Sequence, residues 1–113
     1  MQQKGFVYHL VPPEVWEKAM VEGRYTVASL KTEGVVHMST EAQLFETAAV
    51  HLGQYDELIV LRLPVRWLKD KLKWEESRDG ALFPHYYGPL ELELVEQTMA
   101  IEKQSDGSFA WQQ

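Results

Sequence analysis

Leu58 to Leu63 reads Leu-Ile-Val-Leu-Arg-Leu and is stopped by Pro64. Successive strand residues point to opposite sides of a sheet, so a run nearly continuous in apolar residues, instead of alternating, predicts a strand buried on both faces. We place it centrally in a sheet. The 113 residues contain no internal repeat, low-complexity tract or Gly/Ser linker, and a single domain over 1–113 with one small core is expected.

The other elements follow from local pattern. Phe6 to Val11 is an apolar and aromatic run stopped by Pro12 and Pro13; it reads as a first strand whose polar exception is His9. From Pro13, acceptable in a first helical turn, Val15, Trp16, Ala19 and Met20 recur at helical spacing up to Gly23. Tyr25 to Leu30 is short and β-prone, and Val35 to Met38 is a second apolar run carrying His37. Thr40 as N-cap with Gln43 three residues on forms a capping pair, and Leu44, Phe45, Ala48, Ala49 and Leu52 mark the buried side of a helix ending at Gly53. His51, in its last turn, suits the helix dipole and reads as a stabiliser.

Leu72 to Glu76 alternates as a strand, with Leu72, Trp74 and Glu76 sharing one face. After a turn over Ser77 to Gly80, Phe83-Pro84-His85-Tyr86-Tyr87-Gly88-Pro89-Leu90 reads as a restrained loop, Leu92 to Ile101 as a further strand, and Phe109 to Trp111 as a last short piece. Strands and only two clear helices, interspersed, predict an α+β domain over a doubly wound parallel sheet.

Composition excludes several chemistries. Without Cys there is no disulfide scaffold, no thiolate nucleophile and no cysteine-ligated metal. No apolar run approaches the roughly 20 residues of a membrane span, and the polar start has no signal-peptide core, so a soluble cytoplasmic protein without membrane contact is expected. The net charge of −6 opposes general nucleic-acid binding. Arg62, Arg66, Lys69, Lys71 and Lys73 nevertheless cluster against Asp70 alone. Such a ridge reads as a solvated face, or as an attractor of a phosphorylated small molecule or short RNA.

Three of the four His occupy unusual positions: His9 inside the first strand, His37 at the end of the second apolar run, and His85 in the Pro-bracketed segment. Tyr86 and Tyr87 beside His85 offer aromatic faces, and rigid presentation of such groups suits a ligand pocket. Of the pair Glu75-Glu76, adjacent residues point to opposite faces and at most one enters a pocket; Glu76, on the face of Trp74, is the candidate. There is no His-x-x-x-His pair or short ligand repeat, so no metal is expected, and no G-x-S-x-G elbow; Ser39 reads as a helix-start residue or an anion contact.

Tyr8-His9-Leu10, Ala28-Ser29-Leu30, Glu33-Gly34-Val35-Val36-His37-Met38-Ser39-Thr40, Trp74-Glu75-Glu76-Ser77 and Phe83 to Leu90 resemble, in the same order, the motifs of the bacterial domain-of-unknown-function family 952. The resemblance covers about Phe6 to Ile101. It implies a fold similar to ADP-ribosyltransferases and RNA 2′-phosphotransferases: a split, mostly antiparallel sheet with two main flanking helices around an NAD-type cleft. It further implies a cleft with Glu76 and His37 as catalytic residues and His9, Ser29, Ser39, His85, Tyr86 and Tyr87 as ligand contacts. NAD or a related nucleotide is the implied small-molecule partner, and ADP-ribosyl or related transfer the implied reaction. The acidic chain argues against an RNA substrate. Two alternatives stay open: a non-catalytic small-ligand binding module, and a metal-assisted hydrolase using the three His.

Overall fold

The Leu58–Leu63 run does lie inside a sheet, and the layers on either side of it account for its composition. The computed structural model of the chain describes residues 5–25, 34–77 and 80–112. In order these form β1 (Phe6–Val11), α1 (Pro13–Glu22), β2 (Val35–His37), α2 (Glu41–His51), β3 (Glu57–Pro64), the single-turn α3 (Val65–Leu68), β4 (Leu72–Glu76), β5 (Leu82–Tyr87), β6 (Gln97–Lys103) and β7 (Phe109–Trp111). Short 3-10 turns precede β4 at Lys69–Lys71 and β6 at Leu92–Leu94. No helix among the described residues is long and apolar enough to cross a membrane.

The strands make two antiparallel sheets, one ordered β1-β3-β6-β7 and the other β2-β5-β4. A bridge joins them: Tyr8 N–H donates to the Ser39 carbonyl at 2.8 Å, and Ser39 N–H returns a bond to the Tyr8 carbonyl at 2.7 Å. The α+β class with antiparallel sheets thus agrees with the expectation. β1 and β3 divide their side chains between two cores. Val7, Val11, Leu61 and Leu63 pack with Ala19, Met38, Val36, Leu68, Tyr86 and Leu90 on one side. Tyr8, Leu10, Leu58 and Val60 pack with Leu44, Ala48, Ile101 and Phe109 on the other. Burial on both faces removes the need for alternation, which is why these strands read as continuous apolar runs. Arg62, the charged member of the run, lies with its guanidinium 3.9 Å above the Phe6 ring and donates to Glu96 Oε1 at 3.0 Å.

Local signals set the helices. Pro13 opens α1, and Gly23 closes it at φ 80°, its N–H donating to the Ala19 carbonyl at 2.8 Å; only glycine adopts that left-handed cap without strain. At α2, Gln43 N–H donates to Thr40 Oγ1 at 3.2 Å while Thr40 N–H donates to Gln43 Oε1 at 3.0 Å. Gln43 Nε2 also donates to the Leu82 carbonyl at 2.8 Å, tying the helix start to β5. Thr40→Ala is therefore expected to cost about 1 kcal/mol, read as a lower urea midpoint at unchanged slope; an unchanged midpoint would show that the cap contributes nothing.

Two expectations need correction. The segment from Phe83 is no loop: up to Tyr87 it is β5, the centre of the three-stranded sheet. Pro84 is tolerated there because both its carbonyl and its missing donor face β2, where the ladder is ending. Its carbonyl accepts from Met38 N–H at 3.0 Å, and only the reciprocal bond is lost. Second, Leu92 to Leu94 is a 3-10 turn and not strand, which turns Leu92, Leu94 and Val95 onto the first core; β6 begins at Gln97. Of the short β-prone segment Tyr25–Leu30, Tyr25 makes an antiparallel bridge with Leu90, and the rest, including Ser29, lies outside the described residues.

Candidate functional site

The site is built on one face of the small sheet. Register places His37 of β2 opposite His85 of β5, and His85 opposite Lys73 of β4. Directly opposed residues share a face, so the row Lys73, His85, His37 runs straight across three strands. Two residues along, β5 adds Tyr87 and β4 adds Glu75 to the same face, because side chains repeat every second residue. The bond from Met38 N–H to Pro84 shows that even-numbered residues of β5 turn their backbone groups to β2. His37 and His85 are therefore a non-hydrogen-bonded pair, the closer kind, and their rings meet edge to face with centroids 4.9 Å apart.

Glu75 organises this face. Its Oε1 accepts from His85 Nδ1 at 2.6 Å, and the Tyr87 hydroxyl lies 2.7 Å from Oε1 and 2.9 Å from Oε2. These bonds, that from His85 first and that from Tyr87 second, hold the Glu75 carboxyl below the usual carboxylate range. A carboxylate only accepts, so Nδ1 of His85 must carry the proton, and a neutral ring then has its lone pair on Nε2. No described residue hydrogen-bonds to that Nε2. A tethered imidazole with an open lone pair is the geometry of a general base.

His9 behaves differently. It is buried on the first-core side of β1, and both ring nitrogens are occupied: Nδ1 lies 2.7 Å from the His37 carbonyl and Nε2 2.6 Å from the Tyr25 hydroxyl. The carbonyl fixes the proton on Nδ1, so Nε2 accepts from the phenol. Burial pushes the His9 imidazole down to about 4 and raises the Tyr25 phenol, so both stay neutral. His9 thus supports the end of β2 from beneath and offers no ring nitrogen to a ribose.

The remaining predicted residues are scattered, each for a physical reason. Tyr86 alternates with His85 and Tyr87 and turns into the first core. Glu76 alternates with Glu75; it is exposed at the strand end and does not enter the His face, so it is Glu75 and not Glu76 that meets the imidazoles. Ser39 is buried where the sheets join, and its hydroxyl donates to Thr47 Oγ1 at 3.3 Å, leaving it no role as an anion contact. His51 is exposed at the end of α2. Ser29 lies outside the described residues. Among the described residues, no three His, Asp or Glu side chains gather as a metal ion would require.

Sequence reasoning passed over Glu75 for Glu76, and named Lys73 only as one member of the basic ridge. The signal was present as two alternations, Lys73-x-Glu75 and His85-x-Tyr87, but choosing between the two faces of β4 needed the pairing register. The basic ridge also divides: Arg62 is engaged with Glu96 and Phe6, and the Arg66 guanidinium lies 5.7 Å from the Trp67 ring centroid. Lys73 alone is in the row of the imidazoles.

Comparison with known proteins places this arrangement. The sequence profile of the family described as "Protein of unknown function (DUF952)" matches residues 10–98. The crystal structure of protein CC0527 from Caulobacter crescentus is similar at 32% identity, with a TM-score of 0.85 over 94% of this chain and 94% of that one. The solution NMR structure of CC0527 is 34% identical, with a TM-score of 0.78 over 91% and 90%. No curated protein matches the chain.

Proposed function

The chain belongs to the DUF952 family, and from that membership and the His face we propose a small enzyme that binds a nucleotide, with NAD as the specific ligand and ADP-ribosyl transfer as the reaction. Glu75 carries this reading: by accepting from His85 Nδ1 at 2.6 Å it leaves Nε2 as a base on an accessible sheet face. The choice of NAD rests on the ADP-ribosyltransferase-like fold that the resemblance to family 952 implies, and on the exposed side chain of Tyr87, whose ring would attract a cationic nicotinamide.

The proton accounting is consistent. Heterolysis of the nicotinamide–ribose C–N bond returns the electron pair to the ring nitrogen, releases neutral nicotinamide and leaves an oxocarbenium centre on the ribose. As an acceptor hydroxyl or water forms the new bond to that carbon, its proton passes to His85 Nε2. The Glu75 carboxylate stabilises the imidazolium that results. His37, 4.9 Å away between ring centroids, lies where it can hydrogen-bond the ribose or the acceptor.

Titrating the native protein with NAD while following the four His ring signals and free nicotinamide tests this. Saturable shifts at His37 and His85, with His51 unmoved and nicotinamide released, are the expected result. Shifts without release would replace the enzyme by a binding module. Still signals at millimolar NAD would overturn the nucleotide reading.

A further inference from the structure

We propose that Lys73 and Lys71, with His37 and His85, form a subsite for the phosphate or pyrophosphate group of a small molecule; this rests on the reading of the same face as a ligand site and adds the charge of its ligand. Three observations support it. Register draws Lys73, His85 and His37 into one row across β4, β5 and β2, so three nitrogen-bearing side chains stand side by side. Lys71, two residues before Lys73 and just ahead of β4, carries a second ammonium beside Gly88, past the end of β5. A Cβ placed on Gly88 would lie 3.8 Å from Lys71 Nζ, so the lysine is laid across the end of β5. Gly88 itself sits at φ 127°, where a side chain is strained.

The balance of charge on this face supports an anion. Its carboxylate, Glu75, already accepts from both His85 and Tyr87 and is drawn on by Lys73 at longer range. Neither Lys71 nor Lys73 has an ion pair or hydrogen bond among the described residues. On a chain with net charge −6, one such ammonium in the row of two imidazoles and a second near the end of β5 are a local reversal of sign. Such a patch attracts a compact polyanion and offers it N–H donors, the chemistry of phosphate recognition. The same net charge disfavours the long polyanion of an RNA backbone, which would have to cross the acidic remainder of the surface.

Inorganic pyrophosphate, added to the full chain at constant ionic strength, is the probe. Saturable shifts of the His37 and His85 ring signals are expected, with His51 unmoved, and about tenfold or more weaker binding in the Lys71→Ala/Lys73→Ala double variant. Both lysines are exposed, so the variant should keep the native fold, checked by its unfolding midpoint. Non-saturating shifts, or equal affinity in the double variant, would overturn the subsite. Tighter binding of a short single-stranded RNA than of any small phosphate compound would overturn its small-molecule character. The two proposals fail separately. Pyrophosphate binding that depends on the lysines, without nicotinamide release, keeps the subsite and removes the transferase; NAD turnover unchanged in the double variant does the reverse.

Discussion

Between pH 6.5 and pH 4 the protein should lose about 3 kcal/mol of stability through one buried imidazole, that of His9. The unfolded chain takes up a proton on His9 near the ordinary value of 6.5, whereas the folded chain resists until about 4. Across that window the unfolded state binds more protons, so stability is complete above 6.5, falls as the pH falls, and levels off below about 4. Such a loss is a large part of the roughly 5–15 kcal/mol that holds a small domain together. Comparison with His9→Gln isolates the effect, because a Gln amide can still donate to the His37 carbonyl and accept from Tyr25 but cannot titrate. The stability difference, native minus variant, should decline by about 3 kcal/mol across the window. A difference independent of pH would mean that His9 titrates normally and that its enclosure is wrong.

The second large effect falls on Glu75. If His85 is the base, Glu75→Gln should lower kcat for nicotinamide release by about a hundredfold to ten-thousandfold, with KM much less affected. The amide can present its N–H₂ to the ring and favour the wrong tautomer, and it removes the charge that steadies the imidazolium. Glu75 is a positioning residue, so the split of the kinetic constants discriminates: the loss should fall on kcat while KM for NAD stays near the native value. His85→Asn should lower kcat comparably, and the double variant no further than either single change, because the two groups act as a unit. A Glu75→Gln protein with the native kcat would reduce the carboxylate to a strand-to-strand tie.

Individual residues show how far the sequence was legible. Thr40 and Gln43 announced the start of α2, Gly23 the end of α1 and Pro64 the end of β3, and each does what its local chemistry requires. His37, His85 and Tyr87 were recognisable as unusual, and the structure brings them onto one face. His9 was recognisable too, but as a ligand contact. Its partners, the His37 carbonyl and Tyr25, lie 28 and 16 residues away in the chain, and no local pattern announces them. Pro84 misled in the opposite direction: proline within a run argues against a central strand unless the missing donor faces a ladder that is already ending.

What the sequence determined by itself is therefore periodicity and punctuation: most of the strands and both main helices, where they stop, and that the Leu58–Leu63 strand is covered on both sides. Those properties are local, set by dihedral preference, capping and the alternation of side chains. Which of two adjacent residues faces the site was decided only by tertiary structure. Alternation puts Glu75 and Glu76 on opposite faces but cannot say which face packs against the core and which stays open. That choice belongs to the register of β4 on β5 and of β5 on β2, and to the first core, which claims Trp74 and Tyr86 and so leaves Glu75, His85 and Tyr87 to the open side.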